Sequence, residues 1–279
     1  MCAASALRVR FPPNAAKQRR YPAAGCPERT IARHDVIDAG VSMRPKCGRP
    51  RGAMMVSIYQ CDDVTAVRSL HAGLLTDDAL REPIADQLRK QADRLLDGHR
   101  SGHRGAVPSI ACWHPDRIGW AADGIFGASL ELGDARLTIA REYGFDDWSA
   151  VETLAAMRPD PEFWAAVDAT LCGEEDTLRS LLRCSPGLSG RRSEFGHGAG
   201  LLHYAAANGV ETWRQVVPSN LPTIVRVLLA AGCDPNAGAA MYGGATPLAL
   251  LASSAHPAAA GVAEDAVAVL IAGGAIAGV

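Results

Sequence analysis

The chain has 279 residues, 48% of them hydrophobic and 5% aromatic, with a formal net charge of −2. This is enough apolar material for a sizeable core, but alanine and leucine must do most of the packing, which suits stacked helices better than a β-sandwich. No stretch approaches the roughly 20 consecutive apolar residues of a membrane span.

The charge is unevenly spread. Residues 1–60 carry eleven Lys/Arg and three Asp/Glu, a net of +8, which leaves −10 for the rest of the chain. A basic arm ahead of an acidic body fits nucleic-acid contact, a disordered tail, or upstream sequence read from a start codon set too early. The arm has no uninterrupted apolar core, so it does not read as a secretory signal, and Arg19–Arg20 is followed by Tyr21 and Pro22 rather than an apolar segment. Twenty-five arginines against three lysines match the codon skew of a GC-rich genome. None of the eight cysteines falls in a C-x-x-C pair, so zinc-ribbon and thioredoxin spacings are absent and a reduced, cytoplasmic protein is expected.

In chain order, residues 1–60 mix Pro, Arg and Gly without a period of 2 or 3.6, and order is expected only after Thr76. We therefore assign 1–75 to a disordered basic arm, within which Met54 or Met55 is a candidate functional start. Residues 76–158 form a helical region. Asp77 or Asp78 is a candidate cap, Pro83 fits a first turn, and Leu88, Ala92, Leu95 and Leu96 recur at helical spacing up to Gly98 and Gly102. Pro108, Cys112, Trp113, His114 and Pro115 read as a loop. A second helix is expected over Leu132 to Tyr143, stopped by Gly144, and a third after a cap at Asp146–Asp147.

Beyond Pro159 and Pro161, FWAAVDATLCGEEDTLRSLLRC reads as helix, glycine turn, helix. The pattern returns in GLLHYAAANG with IVRVLLAAGCDPN, and again in TPLALLA with AVAVLIAGGA. Short helices with alanine seams and aliphatic faces cannot bury themselves alone, so copies must stack. Cys172 and Cys233 fall where small residues face such packing, where a free thiol acts as a small hydrophobe.

Residues 159–279 resemble ankyrin repeats, through Thr246-Pro247-Leu248, through Leu202-His203-Tyr204-Ala205-Ala206-Ala207-Asn208-Gly209, and through Leu228-Leu229-Ala230-Ala231-Gly232-Cys233-Asp234-Pro235-Asn236. The segment 80–157, with LRKQADRLL and ARLTIAREYGFDDW, looks like the helical lead-in found before such repeats in some bacterial proteins. The resemblance implies an all-α fold: an α-solenoid of about three ankyrin-like helix-turn-helix repeats behind an N-terminal helical cap. It also implies that His203 makes a structural hydrogen bond to neighbouring loop backbone. Two departures stand out. The middle copy carries an insertion over 210–220, and no polar capping repeat follows the third copy.

The resemblance implies a protein–protein interaction module without catalysis or cofactor, bound to an unidentified protein partner. Its contact residues are expected on loop tips and inner helices: Arg191, Arg192 and Phe195 in the first loop, Tyr204 on an inner helix, Trp213 in the insertion, and Met241 and Tyr242 in the second loop. Other readings are weaker. His99 and His103 with Cys112 and His114 have zinc-ligand chemistry, but Gly98 and Gly102 break the helix that would align them. Residues 134–157 have a helix-turn-helix outline, which with the basic arm makes a nucleic-acid-binding regulator the alternative. Asp146, Asp147 and Glu152 on its second helix would repel phosphates, and residues 8–51 of the arm offer only Phe11 and Tyr21 for stacking.

Overall fold

The structure is a computed structural model, and it describes residues 56–277. The expectations for the arm before residue 56, including the start at Met54 or Met55, lie outside the described residues. Those described are mostly helical.

Order begins earlier than the sequence reading placed it. Strand β1 (Ile58–Tyr59) and helix α1 (Asp62–Leu70) precede Thr76, and α1 buries Val64, Val67 and Leu70. Those three side chains are spaced by three residues, so one face of a short charged helix is apolar. Helix α2 (Ile84–Arg100) begins after Pro83 and runs through Gly98. A Cβ at Gly98 would lie 2.5 Å from Leu70 Cδ1, so this glycine lets α1 approach α2 rather than ending the helix. The expected loop around Pro108 is instead helix α3 (Ala106–Trp113), with Pro108 in its first turn, where a missing N–H costs nothing. Helix α4 (Ala122–Gly127) follows.

Helix α5 (Leu132–Glu142) matches the expected segment, and Gly144 ends it at φ +80°. A Cβ at Gly144 would fall 2.2 Å from the His197 backbone nitrogen, so both the turn and a close approach require glycine. Asp147 caps α6 (Trp148–Glu152) by accepting from the Ala150 amide. Helices α2, α3, α5 and α6 pack together as the N-terminal body.

The C-terminal half is a row of helix pairs. These are α7 (Pro161–Leu171) with α8 (Glu175–Cys184), α9 (Leu201–Ala205) with α10 (Leu221–Ala230), and α11 (Pro247–Ser253) with α13 (Ala263–Ala272). The short α12 (Ala255–Ala259) lies in the last connection. Successive pairs touch through α7–α9–α11 on one side and α8–α10–α13 on the other. Most of the buried apolar residues of both halves, from Val64 to Ala275, form one cluster.

Polar bonds repeat between neighbouring pairs. His203 accepts from the Gly200 amide at Nδ1 (3.1 Å) and bonds the Ala237 carbonyl through Nε2 (2.9 Å). Asn236 donates to the Gly274 carbonyl and accepts from the Ile276 amide. The structural bond expected of His203 is thus present.

Candidate functional site

Segment 210–220 connects α9 to α10, and it does not project. It turns back onto the N-terminal body as a strap. Thr212 and Trp213 sit in a short 3-10 turn, and β2 (Val217–Pro218) pairs antiparallel with β1. The Thr212 amide donates to Glu142 Oε1 (3.0 Å), and the Thr212 hydroxyl accepts from the Trp113 indole (3.1 Å). Trp213 donates its indole N–H to the Tyr143 hydroxyl (3.1 Å), which donates onward to Gln91 (2.8 Å). The Trp213 carbonyl accepts from Arg68 Nε (2.9 Å). The strap therefore bonds to α1, α2, α3 and α5 directly or through one residue.

Beneath it lies a fully buried polar cluster. The Arg214 guanidinium stands 4.3 Å from the Trp164 ring centroid and 4.0 Å from that of Trp213, a double cation–π contact. Glu211 accepts from the Tyr204 hydroxyl (3.2 Å), and His197 Nε2 lies 3.8 Å from its carboxylate. Burial alone would raise the Glu211 carboxyl; the His197 and Arg214 side chains outweigh it and hold the group below its ordinary value. The Tyr204 and Tyr143 phenols are pushed far up, by burial first and by the Glu211 charge second.

Ser193, His197 and Glu211 form a hydroxyl–imidazole–carboxylate row, with 3.3 Å between Ser193 Oγ and His197 Nδ1. That arrangement has the residue types of acyl-transfer chemistry. Here the imidazole Nδ1 also accepts from the Ala199 amide (3.1 Å), and both His197 and Glu211 are 0% exposed. The row closes on the protein's own backbone and fastens loop 193–199 to Glu211 of the strap.

The structure separates the seven expected contact residues. Tyr204, Phe195, Trp213 and Met241 are buried, so as placed they pack inside the protein instead of presenting a contact surface. Phe195 meets Tyr143 edge-on (4.7 Å) and Trp164 at 5.0 Å. Arg191 is half-buried in ion pairs with Asp160 (2.7 Å) and Glu162 (3.0 Å). Arg192 is exposed, with Nη1 donating to the Gly198 and Gly238 carbonyls.

Tyr242 alone among the aromatics of that set is exposed, at 45%. Its backbone is left-handed at φ +47°, which is costly for a bulky residue. Its hydroxyl donates to Asn208 (3.3 Å), which in turn donates to the Leu250 carbonyl and the Ser253 hydroxyl. A Cβ at Gly209 would lie 2.9 Å from Tyr242 Cε2 and 2.7 Å from Met241 Sδ. The ring is thus pinned over the ends of α9 and α11.

His99 bonds the Ile125 carbonyl, His103 accepts from the Gly105 amide, and His114 faces Asp134 at 3.7 Å. Among the described residues there is no cluster of three or more metal-ligating side chains, and no helix long and apolar enough to cross a membrane. Comparison with protein-family models, curated proteins and solved structures finds no match.

Proposed function

We propose that this chain is a protein-interaction module built as an ankyrin-type α-solenoid, whose partner docks over Tyr242 and the neighbouring ends of the inner helices α9 and α11. The observation that carries the reading is the exposed, pinned ring of Tyr242. A 45% exposed aromatic held by Asn208 and Gly209 in a left-handed conformation keeps a fixed shape, and rigid aromatics anchor interfaces at low entropic cost. The stacked helix pairs and the His203 and Asn236 bridges support the ankyrin-type reading.

The surface around the ring selects a partner of particular chemistry. Chain 227–277 contains no Lys or Arg, and its acidic residues are Asp234, Glu264 and Asp265. A partner segment with uncharged, apolar side chains would leave no cation of that stretch unpaired. A photo-crosslinking amino acid in place of Tyr242 tests this in the native cell. A discrete protein adduct that is lost on moving the cross-linker to exposed Arg179 supports the site. The same adducts from both positions would overturn it.

A further inference from the structure

Two carboxylates are buried beside the strap, and they differ in their company. Glu211 has Arg214 and His197 around it. Glu142, 2% exposed at the end of α5, has no cation bonded to it among the described residues. Its Oε1 accepts from the Thr212 amide. Its Oε2 is buried without a hydrogen bond, and the equally unbonded Ser109 hydroxyl of α3 faces the carboxyl. An ionised carboxylate in that position would sit desolvated, with the Glu211 charge close by and no cation bonded to Glu142 itself.

We propose that Glu142 is a proton-held clasp: as a neutral carboxylic acid it stays dry beneath Thr212, and on losing its proton the buried charge draws in water and lets the strap lift from α3 and α5. The groups facing it are consistent with this. Tyr143 follows it in the chain, and Gln91 from α2, bonded to Tyr143, carries no charge. The α3 side offers Ser109 and Trp113, both uncharged. Arg68 of α1 spends its Nε on the Trp213 carbonyl, and Arg214 lies between two indoles beside Asp168. His197 and Tyr204 address Glu211.

The sign follows from the environment. Burial is the main cause raising the Glu142 carboxyl above its ordinary value, and Glu211 adds to it. Its contribution to stability is complete below the unfolded-state value and is lost as pH rises through the folded one. Glu211, held low, loses its contribution as pH falls. The strap is therefore tightest between the two and opens on the alkaline side through Glu142. Opening would uncover Trp213 and the Val67–Leu75 cluster on which it rests.

Two NMR measurements on the full chain test the clasp. With 13C-labelled glutamate, the Glu142 carboxyl should titrate above the other glutamates, and the Trp213 indole N–H signal should be lost with the same midpoint. In Glu142→Gln, which retains an acceptor for Thr212 and a donor for Ser109, the indole signal should persist through that midpoint. A Glu142 carboxyl that titrates with or below the other glutamates, or an indole signal that titrates identically in Glu142→Gln, would overturn the proposal. The carboxyl titration in the unaltered chain decides the matter even if the variant does not fold.

Discussion

The indole N–H of Trp213 and the hydroxyl of Tyr143 meet at 3.1 Å, joining the connection within the second helix pair to the end of a helix seventy residues earlier. Both side chains are almost fully buried, so neither polar group has water as an alternative partner. Replacing Tyr143 by Phe orphans the indole N–H and should cost about 1–3 kcal/mol. Trp213→Ala also removes a buried ring and should cost about 3–5 kcal/mol. Chemical denaturation of the two single variants and the double variant should show clear non-additivity. Strictly additive losses would mean that the bond does not couple them.

Arg214→Lys is a second test. The planar guanidinium stacks between Trp164 and Trp213 while Nη1 reaches Asp168 (3.5 Å). An ammonium can keep the charge but cannot fill the flat slot or reach along its edge. We expect a loss of about 2 kcal/mol from the paired cation–π contacts. A stability equal to the parent would show that charge alone suffices there.

Much of this arrangement was legible beforehand, and the reason lies in periodicity. Helices α5, α7, α8, α10 and α13 repeat apolar residues at helical spacing and stop at glycine or a small turn, and Asp147 and Thr246 cap as their chemistry suggests. Helix α1 was hidden because its three apolar residues follow a segment rich in Pro, Gly and Arg. The contact surface was less legible, because loop burial depends on what the loop meets, and the N-terminal body is distant in sequence. One local signal existed: Ser193, Phe195, His197 and Ala199 alternate with Glu194, Gly196 and Gly198, and the first set is buried throughout. That period of two marks an extended segment with one face covered.

Histidines should make the protein acid-sensitive. Burial holds the His203 imidazole down to about 4 and the His71 imidazole down to about 3. Both are neutral in the folded chain and charge more readily when unfolded. Their stabilisation is complete above the unfolded value near 6.5 and is lost as pH falls from there towards the folded values. Neither nitrogen of His71 has a hydrogen-bond partner among the described residues, whereas His203 uses both. His71→Leu should therefore raise the melting temperature and flatten its decline between about pH 6.5 and 4. His203→Leu should lower the melting temperature at neutral pH. A destabilised His71→Leu would contradict this account.

Tyr242 offers a test that separates folding from binding. Glycine adopts φ +47° without strain, so Tyr242→Gly should be stability-neutral or stabilising by about 1 kcal/mol once the lost Asn208 bond is included. The same change removes the exposed ring. Capture of the partner identified by cross-linking should fall at least about tenfold, the loss of one interface anchor. Unchanged capture with unchanged stability would move the contact surface elsewhere.

The two-residue ladder between β1 and β2 has a further consequence. Ile58 faces Pro218 across it, and the Ser57 amide reaches the Ser219 hydroxyl over a separation of 162 residues. A row of helix pairs that touch only their neighbours can unravel one unit at a time, and it folds quickly because its contacts are local. Here the second pair cannot complete its connection until β1 is in place. Melting from the middle of the row is coupled to the N-terminal body, while the α11–α13 end remains free to fray by itself. A chain emerging from the ribosome must therefore hold β1 unpaired with β2 until residue 218 has been made.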